Sequence, residues 1–380
     1  MMNGREAMNE LGLSRANHIK EPLPMGSYKK EDCIFLLKNI NGLVKEKDNL
    51  EREYVMQNGG HYSEMLPIEY MPTPEYMTLF QTTLEETAKE IAYYVAVVAE
   101  LIYRQKGKET IIVSLARAGT PVGVLIKRYL LEQYNVDVPH YSVSIIRDRG
   151  IDENAILFIL KSYPKGNIQF VDGWTGKGVI GNTLKQSCNL FKEKYGVVLD
   201  DTLAVLCDPG GCTPLYGTRE DFLVPSACLN STVSGLMSRT FLKSDLIGEY
   251  DFHGSKFYEE WQGIDVSNTF VDKVSSCFKE LHITKEDLQG KEEGEWSASQ
   301  SVENIRKHFD ISSINRVKPG IGETTRVLLR RVPWKVLVKD KANPYLKHIL
   351  LLAKDRGVPV EEYRDMCYAC CGLIKDMSGI

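Results

Sequence analysis

The middle of the chain alternates between short apolar runs and stretches in which apolar residues recur at helical spacing. The helical spacing predicts amphipathic helices, and the unbroken or alternating apolar runs predict strands. The predicted elements are helices at residues 83–104, 122–131 and 183–195, and strands at 110–115, 141–146, 168–171 and 203–207. Strands that alternate with helices in this way predict an α/β fold with a mostly parallel sheet flanked by helices.

The two ends of the chain follow other patterns. Residues 1–27 are polar, which predicts a weakly ordered N-terminal segment. The pattern at residues 28–44 predicts a short helix or helix–turn. Near the other end, a helix is predicted at 266–281, followed by a charged linker at 289–295 and a separate small α/β unit. That unit has helices at 299–309 and 344–354 and strands at 334–338 and 358–363.

The predicted division of the chain has four parts. Residues 1–82 form an N-terminal extension with a substrate hood, 83–250 the core, 251–296 a helical connector and 297–380 the small C-terminal domain. The hood is placed at 58–77, where His61, Tyr62, Ser63 and Glu64 follow two glycines, because loops often carry binding sites. A purely structural hydrogen-bonding role is the alternative for His61.

Composition narrows the class of protein without identifying it. The chain has 380 residues, a net charge of -4 and 43% hydrophobic residues, which is ordinary for a globular protein. The charge argues against a protein that is basic overall. Nine cysteines without a dense framework indicate a reducing compartment. No apolar signal core or long apolar span is found, so we expect a cytoplasmic protein without a membrane segment.

The stretch at residues 168–184, I-Q-F-V-D-G-W-T-G-K-G-V-I-G-N-T-L, predicts a strand that breaks into a glycine-rich turn and then opens a helix. The free backbone N–H groups of such a turn and the positive end of the helix dipole favour the binding of a phosphate. Thr175 adds a hydroxyl donor, Lys177 adds a charge, and Asp172 is placed to hold a sugar hydroxyl or a metal ion. An ordinary strand–turn–helix connection is the alternative.

Ligands of parallel sheets bind outside the carboxyl ends of the strands. Four predicted strand ends carry residues suited to anions or sugars: Arg117 and Gly119; Arg147 and Arg149; Asp172, Thr175 and Lys177; and Asp208. Two separated basic groups and one phosphate turn suit a ligand with two phosphorylated ends. For each residue alone, an ordinary surface charge is the alternative.

These segments resemble the loops of type I phosphoribosyltransferases over about residues 85–225. The resemblance implies that family's fold, with phosphoribosyl pyrophosphate as co-substrate and Mg²⁺ as cofactor. It implies catalytic roles for Asp172, Arg117, Arg147 and Arg149. It also implies that Asp172 binds the metal ion. It implies ligand binding by Ala118, Gly119, Gly173, Thr175, Gly176, Lys177, Gly178 and Asp208.

The whole chain resembles the StiP family, which is associated with tellurite-type stress resistance. The segments H-Y-S-E-M-L-P, S-L-A-R-A-G-T-P-V-G, F-V-D-G-W-T-G-K-G and K-P-G-I-G-E-T-T-R carry this resemblance. The C-terminal unit resembles the PELOTA RNA-binding domain, which implies RNA contacts by Lys318, Gly320, Gly322, Glu323, Arg326 and Arg330. The family name denotes a cysteine protease, whereas its domains are interpreted as a phosphoribosyltransferase joined to PELOTA.

The main hypothesis is therefore a phosphoribosyltransferase that makes a nucleoside- or nucleotide-like metabolite from an unidentified base-like acceptor. One alternative is a non-catalytic nucleotide sensor that binds RNA. The other is a cysteine protease with Cys212, Cys207 or Cys228 as nucleophile and His61 or His253 as base. A homodimer is compatible with each hypothesis. The C-x-x-C-C run at 367–371 lacks a second cysteine pair, so packing is favoured over zinc.

Overall fold

A computed structural model describes residues 8–288 and 297–377 of the chain. These residues form ten α-helices: α1 (Glu10–His18), α2 (Asn49–Gln57), α3 (Pro74–Lys106), α4 (Gly119–Tyr134), α5 (Glu153–Ser162), α6 (Val179–Tyr195), α7 (Ser267–Ser275), α8 (Ser297–His308), α9 (Ile321–Arg330) and α10 (Lys347–Asp355). The predicted linker at 289–295 lies outside the described residues.

The strands of the described residues are β1 (Ile34–Leu36), β2 (Lys38–Asn39), β3 (Glu46–Lys47), β4 (Leu66–Pro67), β5 (Thr110–Leu115), β6 (His140–Val143), β7 (Ile145–Ile146), β8 (Gly150–Ile151), β9 (Asn167–Trp174), β10 (Ala204–Cys207), β11 (Leu215–Thr218), β12 (Gly254–Ser255), β13 (Val317–Pro319), β14 (Pro333–Val338), β15 (Val360–Glu362) and β16 (Cys370–Ile374). Most of them belong to two sheets.

The larger sheet has six strands in the order β1-β6-β5-β9-β10-β11, and every neighbouring pair in it is parallel. One face packs against α3, α4 and α7, and the other packs against α1, α5 and α6. This arrangement confirms the predicted mostly parallel sheet with flanking helices. The carboxyl ends of β5 and β9 are neighbours, so their following loops meet at one edge.

The smaller sheet, β13-β16-β14-β15, lies in the C-terminal part, defined here as residues 297–377. Residues 8–288 are called the N-terminal part. Helix α8 packs on one face of the smaller sheet. Helices α9 and α10 contribute to the same hydrophobic cluster as α3 and α4. The two parts therefore share a continuous core, which fixes the position of α9 against the larger sheet.

Helix α2 also joins the two parts. Its Asn49 and Arg52 side chains donate to carbonyl oxygens at the end of α9, and Glu53 pairs with Arg331 at 2.6 Å. Further along the helix, Gln57 accepts a hydrogen bond from the backbone N–H of Met377. Helix α2 of the N-terminal part therefore forms a wall against which the C-terminal part packs.

Two predictions for the N-terminal segment are wrong. Residues 28–44 contain β1 and β2 rather than a helix, because Ile34, Phe35 and Leu36 extend the sheet beside β6. The segment predicted to be weakly ordered contains α1, whose N-cap Asn9 accepts a hydrogen bond from the N–H of Gly12. Its Ala16 side chain is buried against the α5–α6 face.

Within the described residues, no helix is both long enough and apolar enough to cross a membrane.

Candidate functional site

A cavity of about 620 Å³ lies between the N-terminal and C-terminal parts and is called the basic pocket. Its volume is within the range of pockets that bind small molecules. The cationic side chains in its lining are Arg52, Arg147, Lys177, Arg239, Arg316, Lys318, Arg326, Arg330 and Arg331. The acidic side chains are Glu53, Asp172, Glu323 and Asp376. The excess of cations contrasts with the net charge of -4 of the whole chain.

Trp174, the last residue of β9, lies in the wall of the pocket. The Arg326 guanidinium lies 4.8 Å from the centre of the indole ring, and Gly322 packs against the same ring. Arg326 also pairs with Glu323 at 2.5 Å. Burial would raise the pKa of Glu323, but Arg326 and Lys318 outweigh it and lower that pKa to about 2. Glu323 is therefore ionised at neutral pH.

The glycine-rich turn after β9 lies at the pocket, but the side chains of Thr175 and Lys177 already have hydrogen-bond partners. The Thr175 hydroxyl donates to the buried Asp208 carboxylate. The Lys177 ammonium donates to the carbonyl oxygens of Ile314 and Val317, at 2.7 and 3.2 Å. Thr175 and Lys177 thus fasten the turn to its surroundings, while Gly176 and Gly178 line the pocket.

Burial makes two lysines of the pocket titrate close to physiological pH. It lowers the pKa of Lys177 to about 8 and that of Lys318 to about 7. Nearby Glu323 opposes the shift in both cases. The positive charge of the pocket therefore falls as pH rises through this range, and a bound anion would restore it.

Asp172 is the pocket carboxylate without a cationic hydrogen-bond partner among the described residues; it accepts from the N–H of Gly173 at 2.8 Å. Burial raises its pKa to about 6, against the opposing charge of Arg326. Asp172 can therefore exchange a proton near neutral pH. The described residues hold no group of three or more His, Cys, Asp or Glu side chains that could bind a metal ion.

The loop after β5 brings Arg117 beside the same region. Its guanidinium pairs with Glu69 at 2.9 Å and donates to the carbonyl oxygen of Met237. Both charged side chains are almost fully buried. Gly119 and Gly173 mark close contacts between this loop and the end of β9. These two glycines serve loop packing, and Ala118 lines a smaller adjoining cavity.

The remaining predicted ligand residues separate into two groups. Arg147 lines the basic pocket, and its backbone N–H donates to the Tyr62 hydroxyl. Arg149 is exposed, pairs with Glu64 at 2.7 Å and is not among the described residues that line the pocket. Asp208 is fully buried and accepts from the backbone N–H of Cys212 and of its neighbour Thr213. Its carboxylate holds a loop together and does not line the pocket.

The residues assigned to RNA by the PELOTA resemblance face the N-terminal part. Lys318, Glu323, Arg326 and Arg330 line the basic pocket. Gly320 donates its N–H to the backbone of β16, and Gly322 lies against Trp174. In this arrangement the surface they form is covered. RNA binding through these residues stays a prediction.

The cysteines and histidines named as protease candidates do not meet. Over residues 8–288 and 297–377, no hydrogen bond joins a cysteine thiol to a histidine ring. Cys207 and Cys228 are buried, and burial raises the pKa of each thiol. The His61 ring contacts the Ser63 hydroxyl at 2.7 Å, and the His253 ring contacts that of Ser144.

Cys212 is the protease candidate that comes nearest to the pocket. Its Sγ lies 4.0 Å from the carbonyl oxygen of Gly176, which lines the pocket. Burial and the nearby Asp208 raise the pKa of the Cys212 thiol to about 12. The thiol is therefore protonated at neutral pH in this conformation, whereas a nucleophilic cysteine requires a thiolate.

Several pocket residues were missed by the sequence analysis. Arg52 lies far from Arg316 in the sequence, and the two line one pocket only because α2 packs against the C-terminal part. Arg52 and Glu53 are both buried in a helix whose polar residues resemble those of a surface helix. Arg239 follows a segment rich in small residues, and its position over the Tyr62 ring, at 4.3 Å, has no local sequence signal.

Comparisons with known proteins agree on one family. A family model described as "Tellurite-like stress resistance cysteine protease StiP" matches residues 26–275. A second model, described as "PELOTA RNA binding domain", matches residues 296–376. A protein from Acinetobacter baylyi, named "Cysteine protease StiP", is 33% identical over 352 residues, which cover 90% of this chain and 91% of that protein.

These findings confirm the predicted family and correct the predicted activity. Phosphoribosyl transfer as the main function is wrong, because the family description and the name of the relative both give a cysteine protease. Both names denote an enzyme, which agrees with the broader prediction and with the protease alternative. Mg²⁺, phosphoribosyl pyrophosphate, a base-like acceptor, a homodimer and the cytoplasm stay predictions.

Proposed function

The chain belongs to the StiP family, and from that premise we propose that it is an enzyme whose anionic substrate binds in the basic pocket. The observation that carries this proposal is the excess of cationic over acidic side chains around a cavity of about 620 Å³. Clustered, partly buried cations are costly without a counter-charge. A bound anion would supply that charge.

Asp172 is the residue we assign to proton transfer. It lies at the end of β9 in the lining of the pocket, and burial raises the pKa of its carboxyl to about 6. A group with a pKa near the working pH is suited to general acid–base catalysis. Trp174 and the neighbouring Arg326 would cover a substrate held at this position.

Arg147 and Arg149 give a matched pair of variants for testing substrate binding. Arg147 lines the pocket, whereas Arg149 is exposed and paired with Glu64. Tripolyphosphate serves as a multiply charged probe in isothermal titration calorimetry at fixed ionic strength. We expect Arg147→Ala to weaken binding by about tenfold or more, since a hydrogen bond to a charged group contributes about 1.5–3 kcal/mol. Arg149→Ala should bind as the wild type does.

Three outcomes would contradict the proposal. The first is no tripolyphosphate binding by the folded wild-type protein at millimolar concentration. The second is equal loss of affinity in the Arg147→Ala and Arg149→Ala variants, because it would show that only surface charge attracts the probe. The third is unchanged affinity in Arg147→Ala.

The second candidate function is cysteine-dependent peptide hydrolysis, which the family description favours. Cys212 is its candidate nucleophile because its thiol lies beside Gly176 at the pocket wall. This function requires a rearrangement that lowers the pKa of the thiol and brings a histidine to it. Cleavage of acidic peptides by the wild type, abolished in Cys212→Ala with the fold intact, would support it. Cleavage that persists in Cys212→Ala would exclude this nucleophile.

A further inference from the structure

A second cavity shares Tyr62, Trp174 and several arginines with the basic pocket. Its volume is about 160 Å³, which is below about 300 Å³, where pockets for drug-sized ligands begin. We call it the arginine cavity because its charged lining consists of Arg117, Arg239, Arg326 and Arg330. None of the described residues that line it is Asp or Glu. Its size and charge suit a compact anion rather than an extended chain.

Two of these guanidinium groups form no ion pair with a described residue. Arg117 and Arg326 each pair with a glutamate. In the described part of the chain, the side chains of Arg239 and Arg330 have neither a hydrogen bond nor an ion pair, and the Nε atom of Arg239 is buried without a partner. Burial and neighbouring arginines lower the pKa of both groups. Like charges held together in this way destabilise the unliganded protein.

Uncharged polar groups of the same cavity also lack partners. Ser226 is 7% exposed, and its hydroxyl makes no hydrogen bond. The side-chain amide nitrogen of Asn230 is buried and equally without a partner. Both residues line the arginine cavity but not the basic pocket. Buried polar groups of native proteins are rarely left unsatisfied, so each such group calls for an explanation. A bound oxyanion would accept hydrogen bonds from both.

We propose that the arginine cavity is a subsite for a compact oxyanion group of the substrate, such as a phosphate or sulfate group. Arg239 of the N-terminal part and Arg330 of the C-terminal part would hold it together with Asn230. The proposal rests on the proposed function and adds the chemical class of one end of the substrate. It also gives the C-terminal part a role in substrate binding, because Arg326 and Arg330 both lie on α9.

The first test uses inorganic sulfate and the variant Arg330→Met. Because Arg330 is an unpaired cation among other arginines, its replacement should raise the melting temperature of the protein without sulfate. The same variant should lose the sulfate-induced stabilisation, which we expect to be at least about 2 °C in the wild type at saturating sulfate. Chloride at matched ionic strength is the control. A lower melting temperature together with an intact sulfate shift would overturn the proposal.

The second test separates the two cavities by placing a carboxylate in each. Asn230 lines only the arginine cavity, and Asn315 lines only the basic pocket. We expect Asn230→Asp to abolish the sulfate shift, and Asn315→Asp to retain it while weakening tripolyphosphate binding. Equal sulfate shifts in both variants would overturn the subsite without affecting the proposed function. Loss of tripolyphosphate binding only in Asn230→Asp would overturn the assignment of the basic pocket instead.

Discussion

Gly322 of α9 lies against the indole ring of Trp174, so closely that a Cβ atom at position 322 would be 2.1 Å from Cε2 of the ring. This contact joins the N-terminal and C-terminal parts at the wall of the basic pocket. Arg326, one turn later on α9, lies over the same ring. The glycine therefore allows α9 to approach β9 and brings its arginines to the pocket.

The first prediction concerns this contact. Gly322→Ala should destabilise the protein by about 1–3 kcal/mol, because the added methyl group forces a shift of Trp174 or α9. Urea unfolding monitored by tryptophan fluorescence measures the change. Gly181→Ala is the control, since Gly181 has open space around it in α6 and alanine is favoured in helices. Equal stability of the two variants would show that α9 does not pack tightly against Trp174.

The second prediction concerns the buried ion pair between Glu69 and Arg117. Glu69→Gln should lower the free energy of unfolding by about 3–5 kcal/mol, because it leaves a buried guanidinium without its counter-charge. The control is Glu280→Gln, which removes an exposed pair with Lys89 and should cost about 1 kcal/mol or less. Similar losses in both variants would argue against a charged, buried Arg117.

The third prediction is that the basic pocket binds a non-titrating polyanion, benzenetrisulfonate, more weakly as pH rises from 5 to 9. Deprotonation of Asp172, with a pKa of about 6, adds a negative charge to the pocket. Deprotonation of Lys318 and Lys177, with pKa values of about 7 and 8, removes positive charges. All three changes oppose an anion. Because sulfonate groups do not titrate in this range, the change in affinity reports on the protein.

Asp172→Asn identifies the acidic step of this profile. The variant should lose less affinity for benzenetrisulfonate between pH 5 and pH 6.5 than the wild type does, while its affinity should still fall at higher pH. Calorimetric titration at several pH values measures both limbs. A profile of the variant that matches the wild type would show that Asp172 does not titrate in the pocket.

The fourth prediction separates ordinary thiols from an activated nucleophile. At pH 7.5 we expect iodoacetamide to modify the exposed Cys367 before Cys212, because burial and Asp208 raise the pKa of the Cys212 thiol to about 12. Peptide mass spectrometry over time gives the order. Faster modification of Cys212 than of Cys367 would show a reactive thiolate and would favour the peptidase function.

The four central strands of the larger sheet, β6, β5, β9 and β10, could be predicted from the sequence because each carries its own local pattern, whereas the edge strands β1 and β11 were not recognised. The strand at 110–115 was predicted with its observed bounds. The predicted strand at 168–171 is longer in the structure, since β9 continues through Asp172 and Gly173 to Trp174. The pattern of apolar residues stops before Asp172. It therefore cannot show that the polar and glycine residues that follow are covered by another part of the chain.

The candidate site was only partly predictable for the same reason. The turn after β9 and Arg147 could be placed at one sheet edge from the rule on parallel strands. The wall formed by α2 and the inward position of α9 depend on packing between segments more than 270 residues apart, such as the contact of Arg52 with Arg330. Such contacts leave no periodic signal, and so Arg52 was not recognised.

The most direct test of the basic pocket is hydrogen exchange with and without tripolyphosphate, read by mass spectrometry. We predict slower exchange in two segments at once, residues 173–181 after β9 and residues 314–331 around α9, because the pocket lies between them. The Arg147→Ala variant should show a smaller effect at the same probe concentration. Protection of one segment alone, or of neither while the probe is bound, would contradict a substrate site between the two parts.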